Sequence, residues 1–427
     1  MAHHRDLGHH GRDPGLFCAA LTYTIGFALG EGPRGHRGVG RPGPGWARPA
    51  PPCGRDLGLR AEDVGADTLA PVSDSSVPDP LADSPFLAAC RCEPHGRIPV
   101  WFMRQAGRSL PEYLAIRGTG SILEAVADPD RATEITLQPV HRYGVDAAIL
   151  YSDIVVPVHA IGFGVEIKPG VGPVAENPFT SAADLERLRP LEPDVDTPYV
   201  IETVRRLVSE LDPQGVPVIG FAGGPFTVAS YLIEGGPSRD WLKTKSLMHG
   251  DPDLWHRLMD RLADMAITSL SSQIRAGARA IQLFDSWAGA LTVSDYRRFV
   301  MPHSVKIFDA VADLDLPRIH FGVNTGELLT SMGEAGADVV GVDWRTPLSI
   351  ARQRVGADKA LQGNLDPAIV NAPWPAVEAA VRAVVAENGG HPGHIFNLGH
   401  GVMPSLDPEA LKHIVDLVHS LDPGGSS

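Results

Sequence analysis

Two closely spaced arginines are the first residues in this chain whose types and spacing could do chemistry. Arg104 and Arg108 lie in the stretch PVWFMRQAGRSLPEY, which begins with an apolar run and contains, after the arginines, a proline typical of a helix start. A guanidinium grips a carboxylate through two parallel hydrogen bonds, so the pair favours a ligand that carries carboxylates. The chain has 51 acidic against 37 basic residues and a net charge of -14, so such a site must be a local basic pocket.

Other reactive side chains follow apolar, β-branched runs farther along the chain. Asp153 ends AAILYSD, Ser286 follows IQLFD, and His400 lies in NLGHG, while Tyr231 falls on the helical pattern after VPVIGF. Singly, each residue has an ordinary structural explanation, as a cap, a turn, a core residue or a hydrogen-bonded histidine. Together they are typical of a polar mouth above an apolar sheet. Asp153 would then serve a cationic or N–H-donating part of the same ligand.

The elements that must position these residues alternate between short strands and longer amphipathic helices. Strands are predicted at 98–103, 145–151, 216–221, 279–284, 317–321, 338–343, 359–362 and 394–398. Eight such units predict a single (β/α)8 barrel over residues 85–427, in which polar groups collect at the carboxyl ends of the strands. An open doubly wound sheet is the competitor, but no glycine fingerprint for a dinucleotide follows the first strand.

Residues 1–84 differ in composition, since they are rich in Gly, Pro, Arg and His, and a disordered low-complexity extension is predicted there. The four cysteines, Cys18, Cys53, Cys90 and Cys92, all precede the predicted barrel strands, which argues against a disulfide scaffold and favours a reducing compartment. No apolar run is long enough to span a bilayer. A cytoplasmic protein is expected, with no membrane partner and, given its acidity, no nucleic-acid partner.

Several kinds of chemistry lack their residues in this sequence. No zinc-binding His-Glu-x-x-His helix, no G-x-S-x-G elbow and no lysine directly after a predicted strand occur. Neither a metal site nor a cofactor is therefore expected.

Six stretches resemble, in the same order, those of the uroporphyrinogen decarboxylase family. They are PVWFMRQAGRSLPEY, AAILYSDIVVPVHAIG, GFAGGPFTVASYLIEGG, IQLFDSWAG, LQGNLDP and HIFNLGHGVMPSLDPE, and the resemblance runs from Phe86 to Leu421. It implies a homodimeric (β/α)8 enzyme of haem biosynthesis that needs no cofactor. Its expected substrate is the tetrapyrrole uroporphyrinogen III, whose four acetate side chains become methyls in coproporphyrinogen III.

The resemblance also implies roles for particular residues. Asp153 would lie under the macrocycle, bind pyrrole N–H groups and stabilise positive charge. Arg104 and Arg108 would hold carboxylates, with Arg104 a candidate proton donor, and Tyr231 and His400 would complete the catalytic group. The remaining expected substrate contacts are Gln105, Ala106 and Gly107 with their backbone N–H groups, Ser286, and Arg117.

Two other functions remain open from the sequence. A zinc- and corrinoid-dependent methyltransferase of the same superfamily would need cysteine and histidine ligands at the barrel mouth, and no cysteine follows Cys92. A tetrapyrrole carrier on the same barrel would bind the substrate without releasing CO2.

Overall fold

The structure is a computed structural model that describes residues 79–118 and 120–424. The strands of this part are β1 Ala148–Ile149, β2 Val165–Lys168, β3 Gly172–Ala175, β4 Val218–Gly223, β5 Ala280–Phe284, β6 Arg318–Phe321, β7 Val339–Gly341, β8 Ala360–Gln362 and β9 His394–Ile395. Helices follow or separate the strands. They are α1 Pro85–Cys90, α2 Pro111–Arg117, α3 Ile122–Val126, α4 Pro129–Tyr143, α5 Val156–Ala160, α6 Pro193–Asp196, α7 Pro198–Leu211, α8 Pro225–Glu234, α9 Leu242–Gly250, α10 Pro252–Arg275, α11 Val293–Phe299, α12 Met301–Asp309, α13 Leu329–Glu334, α14 Leu348–Val355, α15 Trp374–Glu387 and α16 Pro408–Ser420.

Seven strands form one parallel sheet in the order β1-β4-β5-β6-β7-β8-β9. The predicted first strand, 98–103, closes this sheet into the expected (β/α)8 barrel. Val100 forms a parallel bridge with Phe396 beyond β9. On the other side, the Val100 carbonyl accepts a hydrogen bond of 2.8 Å from the Asp146 N–H ahead of β1. The segment is a single bridge rather than a regular strand, because the side chains of Gln105 and Asn397 accept the N–H groups of Phe102 and Met103.

The barrel strands are buried on both faces, as expected for parallel strands covered by helices. Along β5, four of five residues are buried, and β4 has five of six buried. The sequence did not predict β2 and β3, an antiparallel hairpin outside the barrel sheet. No helix in the described ranges is long and apolar enough to cross a membrane.

The extension predicted over residues 1–84 lies almost entirely outside the described residues. Of that segment, only residues 79–84 are described, and there they form a turn in which Leu81 and Ser84 are buried. The boundary between extension and barrel stays a prediction.

One buried carboxylate connects the first barrel segment to the last helix, α16. Asp146 accepts hydrogen bonds from Arg97 Nη2 at 2.6 Å and from the Val100 N–H at 2.7 Å. It also pairs with His419 Nε2 of α16 at 2.7 Å. Its side chain is 1% exposed, whereas that of Arg97 is 47% exposed.

We expect Asp146→Ala to lower the free energy of unfolding by about 3 kcal/mol. It leaves the buried Val100 N–H without its partner, while the exposure of Arg97 keeps the loss at the lower end for buried pairs. Urea unfolding of the variant measures this loss. Arg297→Ala is the control, since it removes an exposed pair with Glu334 and should cost less than about 1 kcal/mol. An equal loss in both variants would contradict the role of Asp146.

Candidate active site

The arginine loop after the first barrel segment is held by its neighbours and leaves its guanidinium groups free. Gln105 is buried, and its side chain accepts from the Phe102 N–H and donates to the Ala147 carbonyl. Arg104 is exposed and Arg108 half-buried, and both have positive φ, +59° and +53°. Within the described ranges, neither guanidinium forms a hydrogen bond or an ion pair with another side chain. Two unpaired cations thus stand at the carboxyl end of the barrel.

The backbone of this loop corrects one detail of the sequence prediction. The N–H of Gln105 donates to the Phe102 carbonyl at 2.9 Å, because the chain makes a tight turn there, so it is not open to a ligand. The N–H groups of Ala106 and Gly107 have no acceptor among the described residues. These two donors are the ones that the turn leaves free.

Asp153 lies in the turn after β1, ahead of α5. Its Oδ1 accepts a hydrogen bond of 3.1 Å from the Val155 N–H, which fixes the carboxylate. Burial raises the pKa of Asp153, while the N–H groups of Val155 and Ile154 and the charge of Arg104 counteract part of that increase. The residue is half-buried, so its charge is only partly hydrated and would be stabilised by a cation placed beside it.

Tyr231 projects from α8 and packs against the residue that follows Ser286. The rings of Tyr231 and Trp287 have centroids 4.0 Å apart, and the backbone N–H of Trp287 donates to Thr227 Oγ1. Burial raises the pKa of Tyr231 to about 12, so its hydroxyl is a hydrogen-bond donor at neutral pH. Ser286 is half-buried at the end of β5, and its hydroxyl has no partner among the described residues.

His400 lies in the loop after β9, against the arginine loop. Its Nδ1 accepts a hydrogen bond of 2.7 Å from the Gly401 N–H, which places the proton of the neutral ring on Nε2. Burial lowers the pKa of His400, and the charges of Arg104 and Arg345 lower it further. A Cβ at Gly401 would lie 2.7 Å from Arg104 Cδ, so a larger residue there would displace the Arg104 side chain.

Arg117 is linked to the segment of Asp153 by contacts with two tyrosines that the sequence prediction missed. Its guanidinium is 5.9 Å from the Tyr113 ring centroid, and the Tyr113 and Tyr151 hydroxyls are 3.2 Å apart. Tyr151 precedes Asp153 by two residues. No sequence signal marks this tyrosine pair, because its members are 38 residues apart and meet only in the folded chain.

The structure thus brings together four of the predicted residues as one electrostatic group. Arg104 influences the pKa of Asp153, Tyr231 and His400, and Asp153 influences that of Tyr231. No ion pair joins Arg104 to Asp153 in the described part of the chain. For Arg108 and Ser286, the structure shows a position at the strand ends without a direct contact to this group.

Asp285, directly before Ser286, is a further carboxyl group at the mouth. It is completely buried, and its Oδ1 accepts a hydrogen bond of 2.8 Å from Thr227 Oγ1, while Oδ2 has no partner. Burial raises the pKa of Asp285 to about 6. Asp285 therefore supports Thr227 and Trp287 from behind, rather than reaching the open side of the site.

We expect Asp285→Asn to be more stable than the wild type at pH 7.5, by up to about 3 kcal/mol. The pKa of Asp285 is about 3.8 in the unfolded chain and about 6 in the folded protein, where burial raises it. The wild type therefore loses stability as the pH rises from about 3.8 through about 6, because the buried carboxyl then ionises. The difference between the two proteins in urea unfolding should therefore grow from pH 4.5 to 7 and then level off.

Asp184→Asn is the matched control for this pH series. Hydrogen bonds from Thr180, Arg187 and Ser181 lower the pKa of Asp184 to about 2, so it is ionised in both states above pH 5. The difference in free energy of unfolding between Asp184→Asn and the wild type should not change between pH 5 and 8. A pH-independent difference for Asp285→Asn would contradict the burial argument.

Metal-binding residues do not gather at this mouth. Among the described residues, no group of three or more His, Cys, Asp or Glu side chains could hold a metal ion. Cys90 is buried in α1, and Cys92 Sγ lies beside Gly393 and Ala360, at the amino ends of β9 and β8. Both thiols are therefore at the end of the barrel opposite the mouth, and Cys18 and Cys53 lie outside the described residues.

Fold and site together define a (β/α)8-barrel protein whose polar residues collect at the carboxyl ends of its strands. The family model "Uroporphyrinogen decarboxylase (URO-D)" matches residues 81–421. The chain belongs to the uroporphyrinogen decarboxylase family. The uroporphyrinogen decarboxylase of Salinispora tropica is 61% identical over 344 residues, covering 81% of this chain and 92% of that protein. That of Streptomyces griseus is 59% identical over 355 residues, covering 83% and 96%.

Solved structures with lower identity share the fold. A methyltransferase from Methanosarcina mazei has a TM-score of 0.65 at 20% identity, covering 79% of this chain and 97% of that one. A B12-independent methionine synthase from Shewanella has a TM-score of 0.51 at 11% identity, covering 76% and 96%. At such identities the similarity concerns the barrel alone, and it does not favour a methyltransferase here.

Proposed function

We propose that this chain is a uroporphyrinogen decarboxylase. It would convert uroporphyrinogen III to coproporphyrinogen III by removing CO2 from four acetate side chains. The observation that carries the proposal is that Arg104, which has no partner among the described residues, acts electrostatically on the Asp153 carboxylate at the mouth of a barrel that belongs to this family. An octacarboxylate with four pyrrole N–H groups matches both charges.

The substrate can supply its own electron sink. Protonation of the pyrrole carbon next to the acetate-bearing carbon gives a cationic iminium. The bond from the acetate methylene to the carboxylate then breaks, its electron pair moves into the ring system, and CO2 leaves. A proton added to the methylene carbon forms the methyl group, and loss of the first proton restores the pyrrole. The net change is one proton taken up and one CO2 released per acetate.

Asp153 would stabilise the cation of this sequence and bind the pyrrole N–H groups before it forms. A preorganised anion in a poorly hydrated site stabilises developing positive charge more effectively than water does. Asp153 is half-buried, and this burial raises its pKa, which supports such a role. Its fixed hydrogen bond to Val155 means that little reorganisation accompanies the reaction.

The arginines and the neutral donors would hold the other carboxylates. Arg104 and Arg108 offer guanidinium forks, and the free N–H groups of Ala106 and Gly107 offer backbone donors. Arg117 offers the donors that its hydrogen bond to the Gly120 carbonyl leaves. A guanidinium is a very weak acid, so a proton from Arg104 would pass through a water while its main role is to clamp. His400 Nε2, the Tyr231 hydroxyl and the Ser286 hydroxyl would complete the set of donors.

The family resemblance extends the proposal to assembly and location. We propose a homodimer that functions in the cytoplasm, within haem biosynthesis. Light scattering coupled to size-exclusion chromatography tests the first point. Fractionation of cells that express the full chain tests the second.

The proposal is tested by incubating the purified chain anaerobically with uroporphyrinogen III, with no added metal or corrinoid. Products are oxidised and separated by carboxylate number. A series from eight to four carboxylates supports the decarboxylase. Binding with no loss of CO2 would indicate a carrier, and turnover that requires zinc or a corrinoid would indicate a methyltransferase. Either result would overturn the proposal.

A further inference from the structure

A fourth arginine stands at the same end of the barrel, after β7, outside the predicted set of site residues. Arg345 stacks on its neighbour Trp344, with the guanidinium carbon 3.8 Å from the ring centroid. Its Nη1 donates to Asp343 Oδ2 at 3.0 Å. The side chain of Arg345 is 46% exposed, whereas Asp343 is 1% exposed.

The contact with Asp343 leaves most of the Arg345 fork unused. Asp343 also accepts from the backbone N–H groups of Asn324 and Arg345, so both of its oxygens are satisfied without the guanidinium. A guanidinium has five N–H donors, and the Asp343 contact occupies one. No other acceptor for the Arg345 side chain occurs among the described residues.

These donors border an open pocket of about 290 Å³. A second arginine of the pocket, Arg354, is already committed, because it donates to the Gly326 carbonyl at 2.6 Å and to Glu327 Oε1 at 2.8 Å. Arg345 is thus the arginine of this pocket with donors to spare. Stacking on Trp344 fixes the plane of its guanidinium, which favours two-pronged binding of a planar anion.

Trp344 and His400 connect this pocket to the candidate active site. Their ring centroids are 6.2 Å apart in an edge-to-face arrangement. Arg345 is also near enough to His400 to lower its pKa, as Arg104 is. Arg345 and Arg104 are therefore two cations that share His400 as a neighbour, one on the loop after β7 and one on the first barrel segment.

We propose that Arg345 is a further carboxylate-binding residue of this site, holding a substrate carboxylate on the β7 side of His400. The inference rests on the proposed function, because it takes the polycarboxylate as its ligand. A macrocycle with carboxylates on every ring needs anchors on more than one side of the mouth. Arg104, Arg108 and Arg117 all come from residues 104–117, and Arg345 supplies the charge from β7.

The test compares Arg345→Gln and Arg345→Lys with the wild type in anaerobic assays on uroporphyrinogen III. We expect Arg345→Gln to raise KM about 10-fold with kcat within about twofold, since a clamp away from the reacting acetate contributes uniform binding. The KM of Arg345→Lys should lie between those of the wild type and Arg345→Gln, because lysine keeps the charge and loses the two-pronged hydrogen bonding. The ratio of KM values should shrink at high salt. Affinity for uroporphyrin III, an unreactive octacarboxylate, should fall in parallel.

Arg382→Gln is the matched control, because Arg382 is 53% exposed on α15 and pairs with Glu378. It should leave KM unchanged. If the wild type turns over the substrate and Arg345→Gln keeps the wild-type KM and affinity, the role of Arg345 is overturned while the proposed function stands. A fall in melting temperature of both Arg345 variants, with kcat lost rather than KM raised, would also overturn it. A wild type with neither binding nor turnover would instead overturn the proposed function.

Discussion

Asp153→Asn is expected to lower kcat on the order of 10³-fold, the largest single effect that the site should show. Asparagine keeps the shape and an oxygen to accept from Val155, so the turn survives. What disappears is the negative charge beside the iminium cation. The measurement is the rate of CO2 release from uroporphyrinogen III at saturating substrate.

A matched control for this variant is Asp366→Asn. Asp366 also follows a barrel strand and also accepts from a backbone N–H two residues ahead, that of Ala368. It caps a short helical turn and should keep wild-type kcat. Folded Asp153→Asn protein with near-normal turnover would remove Asp153 from the mechanism.

Arg104→Gln is expected to lower kcat/KM about 10²-fold or more, since it removes a guanidinium that has no other partner in the described part of the chain. It should also shift the pH profile. Arg104 lowers the pKa of Asp153, so its loss raises that pKa, and the acid limb of kcat/KM moves to higher pH. Arg104→Lys should return the acid limb close to its wild-type pH but should recover less of the lost kcat/KM, because lysine keeps the charge without the two-pronged hydrogen bonding.

For Arg104 the control is Arg206→Gln, which removes an exposed cation paired with Glu202 on α7. It should change neither kcat/KM nor the position of the acid limb. An Arg104→Gln enzyme with an unshifted acid limb would show that Arg104 and Asp153 are not electrostatically coupled.

The sequence predicted the barrel well where strands are regular and buried. The runs at 216–221 and 279–284 correspond to β4, Val218–Gly223, and β5, Ala280–Phe284. The run at 98–103 became a single bridge, because side chains accept the N–H groups of Phe102 and Met103 that a ladder would use. The β2–β3 hairpin was missed because each strand has only four residues and β3, Gly172–Ala175, begins with Gly and Pro, which are weak strand formers.

For the site, residues with a motif could be predicted and those defined by burial could not. Arg104, Asp153, Tyr231 and His400 stand in long distinctive stretches, and their role in the site stays a prediction. Tyr113, Tyr151 and Trp287 matter through contacts that only folding creates. The raised pKa of Asp285 depends on complete burial, and the free donors of Arg345 depend on how backbone N–H groups satisfy Asp343. Neither property can be read from residue types.

The central claim is that this chain replaces each acetate carboxylate by a solvent proton, with the pyrrole as the electron sink. The direct measurement is the reaction of uroporphyrinogen III in D2O, with chelator-treated protein and no added cofactor, followed by NMR of the ring methyls. The account predicts coproporphyrinogen in which each of the four new methyls carries one deuterium. An intact octacarboxylate, or product that forms only after a metal or corrinoid is restored, would contradict it.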